Sequence, residues 1–174
     1  MNFVCRAIDE TFFETAPTVL RHVGEIPASA AETFSVLEDG ASWPVWFKGI
    51  REVTWLTPKP FGVGTRRTVR LDTVTVEEFF FRWDVGKRLS FYLTRHDRPL
   101  THALAEDYNL VSTGPASCRF EYAVAFEPRM IVKLTRPLTV AYFNHMFAGA
   151  VKGLGEYMRS SNRPADTLRA QQAP

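Results

Sequence analysis

The sequence predicts an α+β domain in which an antiparallel meander of about seven strands is followed by one long C-terminal helix. Three observations predict it. From Ile50 to Phe126 apolar residues recur with period two, between turn signals too closely spaced for anything but hairpins. A capping box, Ser29-Ala30-Ala31-Glu32, opens a helix before that region. After it, Phe143, Phe147, Ala150, Leu154 and Tyr157/Met158 form a stripe at helical spacing. The 174 residues are enough for one domain. It is expected over 16–160, with an N-terminal extension over 1–15. The Ser-, Asn-, Gln- and Pro-rich stretch over 161–174 reads as a flexible tail.

The elements follow in order. Pro17–Ile26 reads as a strand. The capped helix carries Phe34 and Leu37 on one face and stops at Glu38-Asp39-Gly40. A second short helix covers Trp43 to Phe47, and Gly49 ends it. The meander strands are Ile50–Thr57, Gly64–Asp72, Thr75–Val85, Arg88–His96, Leu100–Ser112 and Ser117–Glu127. Pro58, Pro60, Gly62, Gly64, Gly86, Pro99 and Gly114-Pro115 punctuate them. The last helix is expected over Leu138–Arg159, after the cap signal Thr135-Arg136-Pro137. Its Gly149, Gly153 and Gly155 serve either close packing against a strand or a bend that opens a cavity.

Composition narrows the function classes. Charge is nearly balanced, 21 Lys and Arg against 19 Asp and Glu, which is no footprint for nucleic acid. Cys5 and Cys118 are too few for a disulfide framework and have no metal-ligand spacing. Four scattered histidines, His22, His96, His102 and His145, are no metal motif, and no cofactor is expected. The opening MNFVCRAIDETFF contains Asp9 and Glu10 and no unbroken apolar run, unlike a signal peptide. With no apolar run long enough to span a membrane, a cytoplasmic protein is expected. The unusual feature is aromatic content: 14 Phe, 5 Tyr and 4 Trp, enough to fill a large core or line a large apolar cavity.

Strand parity separates the two faces of the sheet. Phe79, Phe81 and Trp83 share one face and fall opposite Leu93, Phe91 and Leu89 across Gly86. In the last hairpin, pairing Leu110 with Cys118 sets Tyr108 by Phe120, Glu106 by Tyr122, Leu104 by Val124 and His102 by Phe126. Several polar residues share the parity of these apolar sets: Glu77, Arg95, Glu106, Tyr108, Tyr122 and His102, with Arg67 in line with Val69 and Leu71 and next to Trp55. Each has two readings. Glu77 with Arg95 or Arg67 is a structural ion pair or a charged site. Glu106 with Tyr122 is a satisfied core hydrogen bond or a functional carboxylate. Trp43 and Trp46 read as a plug beneath the short helices.

The order of elements is that of the helix-grip fold. Val36-Leu37-Glu38-Asp39, Trp43-Pro44-Val45-Trp46-Phe47, Gly62-Val63-Gly64-Thr65-Arg66-Arg67, Val76-Glu77-Glu78, Trp83-Asp84 and Arg88-Leu89-Ser90-Phe91 resemble the SRPBCC (START-like) superfamily. The resemblance runs from about Arg21 to Tyr157 and is nearest the polyketide cyclase/dehydrase and lipid-transport branch. It implies a curved sheet wrapped around the C-terminal helix with a cavity between them. It also implies apolar or aromatic ligands and cyclases that need no metal or organic cofactor.

The expected function is binding of a hydrophobic or aromatic small molecule, lipid- or polyketide-like, in that cavity. Its expected lining is Trp55, Arg67, Glu77, Phe79, Phe81, Phe91, Arg95, Glu106, Tyr108, Phe120, Tyr122, Phe143 and Phe147. The alternative is a cyclase or dehydratase, with Glu106 or Glu77 as base and Arg67 or Tyr122 stabilising an enolate oxygen. A second alternative is a protein-interaction module of the chaperone co-activator type. A monomer or a homodimer fits the sequence equally.

Overall fold

The computed structural model describes residues 2–130 and 136–161. The chain runs β1 (Phe3–Val4), α1 (Phe12–Thr15), β2 (Thr18–Ile26), α2 (Ala30–Glu38), α3 (Trp43–Trp46), β3 (Ile50–Trp55), β4 (Arg66–Leu71), β5 (Thr75–Asp84), β6 (Arg88–His96), β7 (Thr101–Gly114), β8 (Ser117–Pro128) and α4 (Arg136–Ser161). The antiparallel sheet is ordered β2-β8-β7-β6-β5-β4-β3, with β1 paired to β6. This is the helix-grip arrangement, a curled half-barrel around a long helix. Thr135 and the stretch 162–174, expected as a cap and a tail, lie outside the described residues.

The helix signals are realised. Ser29 Oγ accepts from the Glu32 amide at 3.2 Å, and Glu32 Oε2 accepts from the Ser29 amide at 2.9 Å. That closes the capping box and satisfies two donors the first turn would leave open. Trp43 and Trp46 do plug the base of the two short helices: Trp43 Nε1 donates to the Leu37 carbonyl at 3.1 Å and Trp46 Nε1 to Ser42 Oγ at 3.2 Å. Of the α4 glycines, Gly153 serves close packing, whereas a Cβ on Gly149 would meet open space and one on Gly155 only ordinary contacts. A Cβ on Gly153 would sit 2.0 Å from the Trp46 carbonyl oxygen, so this residue lets α4 seat against α3. On the facing strand, a Cβ on Gly24 would meet Val151 Cγ1 at 2.4 Å.

Two registers depart from expectation. The last hairpin pairs Leu110 with Phe120, Tyr108 with Tyr122, Glu106 with Val124 and Leu104 with Phe126. Each expected pair is offset by two residues, because the turn is Pro115-Ala116 and an irregularity falls between Ser112 and Gly114. A two-residue offset keeps every side chain on its face, so the parity argument survives the wrong partner. In β5 the correction changes faces. An extra residue in β5, Phe81 between Phe80 and Arg82, breaks the alternation before Trp83, and an extra residue in β6, Thr94, falls opposite the step from Glu77 to Glu78. The inward set is therefore Val76, Glu78, Phe80 and Trp83, all buried. Glu77, Phe79 and Phe81 turn outward, and so does Arg95, the cross-strand partner of Glu77. A bulge that re-aims one side chain is a common device of curled sheets, and period counting back from Trp83 misses it.

The N-terminal extension covers the outer face. Phe12 packs with Ala103, Ala105 and Ala125 in a second, smaller core joined by Ile8, Phe13, Val19 and Tyr92. Alanines at those positions leave room for α1. Arg6 pairs with Glu127 at 2.9 Å and Glu10 with Arg82 at 3.0 Å, tying the segment down at both ends. His102 has the inward parity, but near a strand end it reads as a partly exposed surface residue; it is exposed beside this segment, and its carbonyl accepts from the Arg6 amide.

Candidate functional site

The inner face of the sheet and α4 enclose an apolar space in two parts. A mouth of about 400 Å³ lies between the N-terminal half of α4 and the loops at Gly49, Leu71–Val74 and Leu100–Thr101. A deeper chamber of about 90 Å³ lies below it, walled by Trp43, Phe47, Val69, Leu104, Tyr108 and Phe147 among others. Leu71, Val74, Leu100, Phe143 and Met146 line both, so the two parts share a wall. At about 30 Å³ per water, the chamber has room for about three. The mouth is large enough for the body of an organic ligand.

A guanidinium and two carboxyls stand at the chamber: Arg67, Glu78 and Glu106. Arg67 and Glu78 are direct cross-strand partners on β4 and β5. Their side chains are 2% and 5% exposed, and Arg67 Nε donates to Glu78 Oε2. The guanidinium also lies within 4.3 Å of the Trp43 ring centre, 5.0 Å of Phe91, 5.2 Å of Trp55 and 5.2 Å of Phe80. Ring faces favour a cation there. Burial pushes the Glu78 carboxyl up, against the pull of Arg67.

Glu106 is held differently. The Tyr108 hydroxyl donates to its Oε2 at 2.7 Å, and the Tyr122 hydroxyl donates to the same oxygen at 2.6 Å. No ion pair reaches Glu106 among the described residues. Burial first, then the charge of Glu78, push its carboxyl up to about 7; the two tyrosines and Arg67 pull the other way without cancelling the rise. Tyr108 and Tyr122 are themselves raised well above the usual tyrosine value, by burial and by Glu106, so both remain neutral donors. A carboxyl that gains or loses a proton near neutrality, in an apolar chamber, can accept or donate a hydrogen bond to a bound molecule.

The expected site residues divide cleanly. Arg67, Glu106, Tyr108, Phe143 and Phe147 line the chamber. Tyr122, Phe91, Phe120 and Trp55 sit on the same face behind its wall: Tyr122 on Glu106, Phe91 and Trp55 on Arg67, and Phe120 edge-to-face with Tyr108, ring centres 5.5 Å apart. Glu77, Phe79, Phe81 and Arg95 do not reach it. Glu77 instead bonds Arg66 and pairs with Arg95 at 3.0 Å on the outer face. Glu78 is the functional-site residue that sequence reasoning missed. Its signal was present in the alternation Val76, Glu78, Phe80, which matches Val69 and Arg67 on the neighbouring strand. No three His, Cys, Asp or Glu side chains converge as a metal site would need, among the described residues. No helix among them is long and apolar enough to cross a membrane.

Comparisons agree with this geometry. Residues 18–159 match the family described as polyketide cyclase / dehydrase and lipid transport. An uncharacterized protein of Mycobacterium tuberculosis is 33% identical over 124 residues, 71% of this chain and 74% of its own. Among solved structures, the Zhui aromatase/cyclase of Streptomyces sp. R1128 superposes with a TM-score of 0.73 at 13% identity, over 85% of this chain and 97% of that one. A START superfamily protein of Mycobacterium smegmatis does so at 0.60 and 16% identity, over 78% and 98%. At such low identity these two structures speak to the fold. The match over 18–159, most of the chain, places it in the polyketide cyclase / dehydrase and lipid transport family.

Proposed function

We propose that this protein binds an uncharged apolar or aromatic small molecule, lipid- or polyketide-like, with its body in the mouth and a polar end in the chamber at Glu106. The observation that carries this reading is the apolar mouth and chamber sharing one wall, with a single un-ion-paired carboxyl at the deep end. Apolar walls with a few convergent polar groups are the usual form of a small-molecule site. A cavity of this kind weighs against the interaction-module reading, for which a solid interior would suffice.

The enzyme reading has one specific support: Glu106 is poised near neutrality, as a general acid or base needs. Arg67 is a weaker candidate for oxyanion stabilisation, because Glu78 already neutralises it. Glu77, the other carboxylate considered as a base, is on the wrong face.

Met146 lines both the mouth and the chamber, so its replacement by a bulkier group blocks passage between them. Native mass spectrometry of the chain purified from its own host should show a co-purifying small molecule, and Met146→Trp should lose it while keeping the far-ultraviolet circular dichroism of the parent. A folded Met146→Trp that retains the same ligand would overturn the cavity as the binding site.

A further inference from the structure

We propose that Glu106 sets the polar chemistry the chamber accepts: with its carboxyl protonated the chamber takes a ligand carbonyl, and with it ionised the chamber takes a ligand hydroxyl. This rests on the ligand-binding reading above and names the functional group at the deep end of the ligand.

The argument is one of hydrogen-bond valence. Both tyrosine hydroxyls converge on one oxygen, Oε2. No described residue bonds to Oε1, and that atom is not sealed away, since Glu106 keeps part of its surface open and lines the chamber. When the carboxyl takes up a proton, two donors already crowd Oε2, so the proton belongs on Oε1. There it faces the ligand space as an O–H donor, and the natural partner is a carbonyl oxygen. When the proton leaves, Oε1 becomes a carboxylate acceptor. A carbonyl then faces lone pair against lone pair, whereas a hydroxyl forms a charge-assisted bond.

One other carboxyl facing Glu106 is linked to it: Glu78 on β5 is pushed up by burial, and its charge raises Glu106, but it is paired with Arg67 on β4 and its oxygen is taken by that guanidinium. Tyr108 on β7 and Tyr122 on β8 are raised away from neutrality. On β2, His22 lies behind Tyr122, with ring centres 6.4 Å apart, and burial lowers its value. From α3 and α4, Trp43, Phe47, Phe143, Met146 and Phe147 bring no titrating group. With Glu106 near 7, its protonated fraction falls about tenfold between about pH 6 and 8.

The test is calorimetric titration of the full chain with 2-acetylnaphthalene and with 2-naphthol, two probes of one skeleton that differ in the polar group. Between about pH 6 and 8 the ketone should lose about tenfold in affinity. The naphthol, which tolerates either form but is held better by the carboxylate, should gain several-fold over the same range. Glu106→Gln has the same shape and no titration, so both slopes should flatten, whereas His22→Asn should keep both. Two slopes of the same sign, or slopes that survive Glu106→Gln or vanish in His22→Asn, would overturn the proposal and leave the binding reading intact. Failure of either probe to bind at any pH, with no co-purifying ligand in native mass spectrometry, would overturn the binding reading and this proposal with it. The opposed slopes of the parent protein decide the matter even if Glu106→Gln does not fold.

Discussion

Glu77 and Glu78 are adjacent on one strand, and each meets an arginine of β4: Glu78 meets Arg67, directly opposite it, and Glu77 meets Arg66 on the diagonal. The chemistry of the two pairs is the same and their surroundings are not. The outer pair has side chains 14% and 43% exposed, and Glu77 also pairs with Arg95 under solvent. The inner pair is sealed beneath aromatic rings. Ion pairs near water contribute about 0–1 kcal/mol, because solvent screens them. A buried pair contributes little net to stability, yet removing one member strands the other charge and costs about 3–5 kcal/mol. Two neighbouring glutamates thus show that the side of the sheet, rather than the residue type, decides which charge the fold depends on.

The largest expected effect follows from that contrast. Glu78→Ala should destabilise the protein by about 3–5 kcal/mol, read by urea denaturation, because Arg67 is left as an unpaired cation. Removing both charges, as in Arg67→Met with Glu78→Leu, should restore most of the loss. If the double variant were no more stable than Glu78→Ala, lost packing rather than the stranded charge would be the cause.

Glu106 offers a second contrast, between a buried carboxyl that has a cation and one that has only hydroxyls. Its folded value of about 7 lies above the ordinary 4.5, so the folded protein binds the proton more tightly than the unfolded chain does. Stability from this group is therefore fully present below about 4.5 and declines as pH rises toward 7. The whole decline is about 3 kcal/mol by linkage. Denaturation of the parent and of Glu106→Gln across this range should show the parent losing stability relative to the variant, with the difference levelling off above about pH 7. A difference independent of pH would mean that this carboxyl titrates in the folded protein as it does in the unfolded chain.

The same region shows what the sequence could and could not reveal. Glu106, Tyr108 and Tyr122 were placed inward by parity alone, and parity holds even though each partner was misassigned by two residues. The capping box of α2 was legible because it depends on a few local residues, whereas the last hairpin turn falls one residue beyond its Gly114-Pro115 signal. The faces of Glu77 and Glu78 were misread, because counting back from Trp83 runs across the extra residue at Phe81, although the alternation Val76, Glu78, Phe80 carried the right face. The inner position of Arg67 was legible from Val69 and Leu71, whereas its partner was misread. The α1 segment was illegible for a different reason: four residues are too few to show a helical period.

The smallest expected effect tests the outer pair. Glu77→Gln keeps the size of the side chain and removes its charge from between Arg66 and Arg95, both of which remain about half open to water. Neither arginine is stranded, because solvent replaces the lost carboxylate at little cost. The expected loss is about 1 kcal/mol or less, and it should shrink as salt is raised, since screening already weakens the parent's pairs. Ligand binding should be unchanged, because Glu77 faces away from the chamber. A loss as large as that of Glu78→Ala, unaffected by salt, would mean that the carboxylate is tied into the ladder between β5 and β6 rather than lying on it. The Thr94 hydroxyl, which bonds the Glu77 carbonyl at 3.1 Å and lies 3.4 Å from its Oε1, marks where that coupling would run.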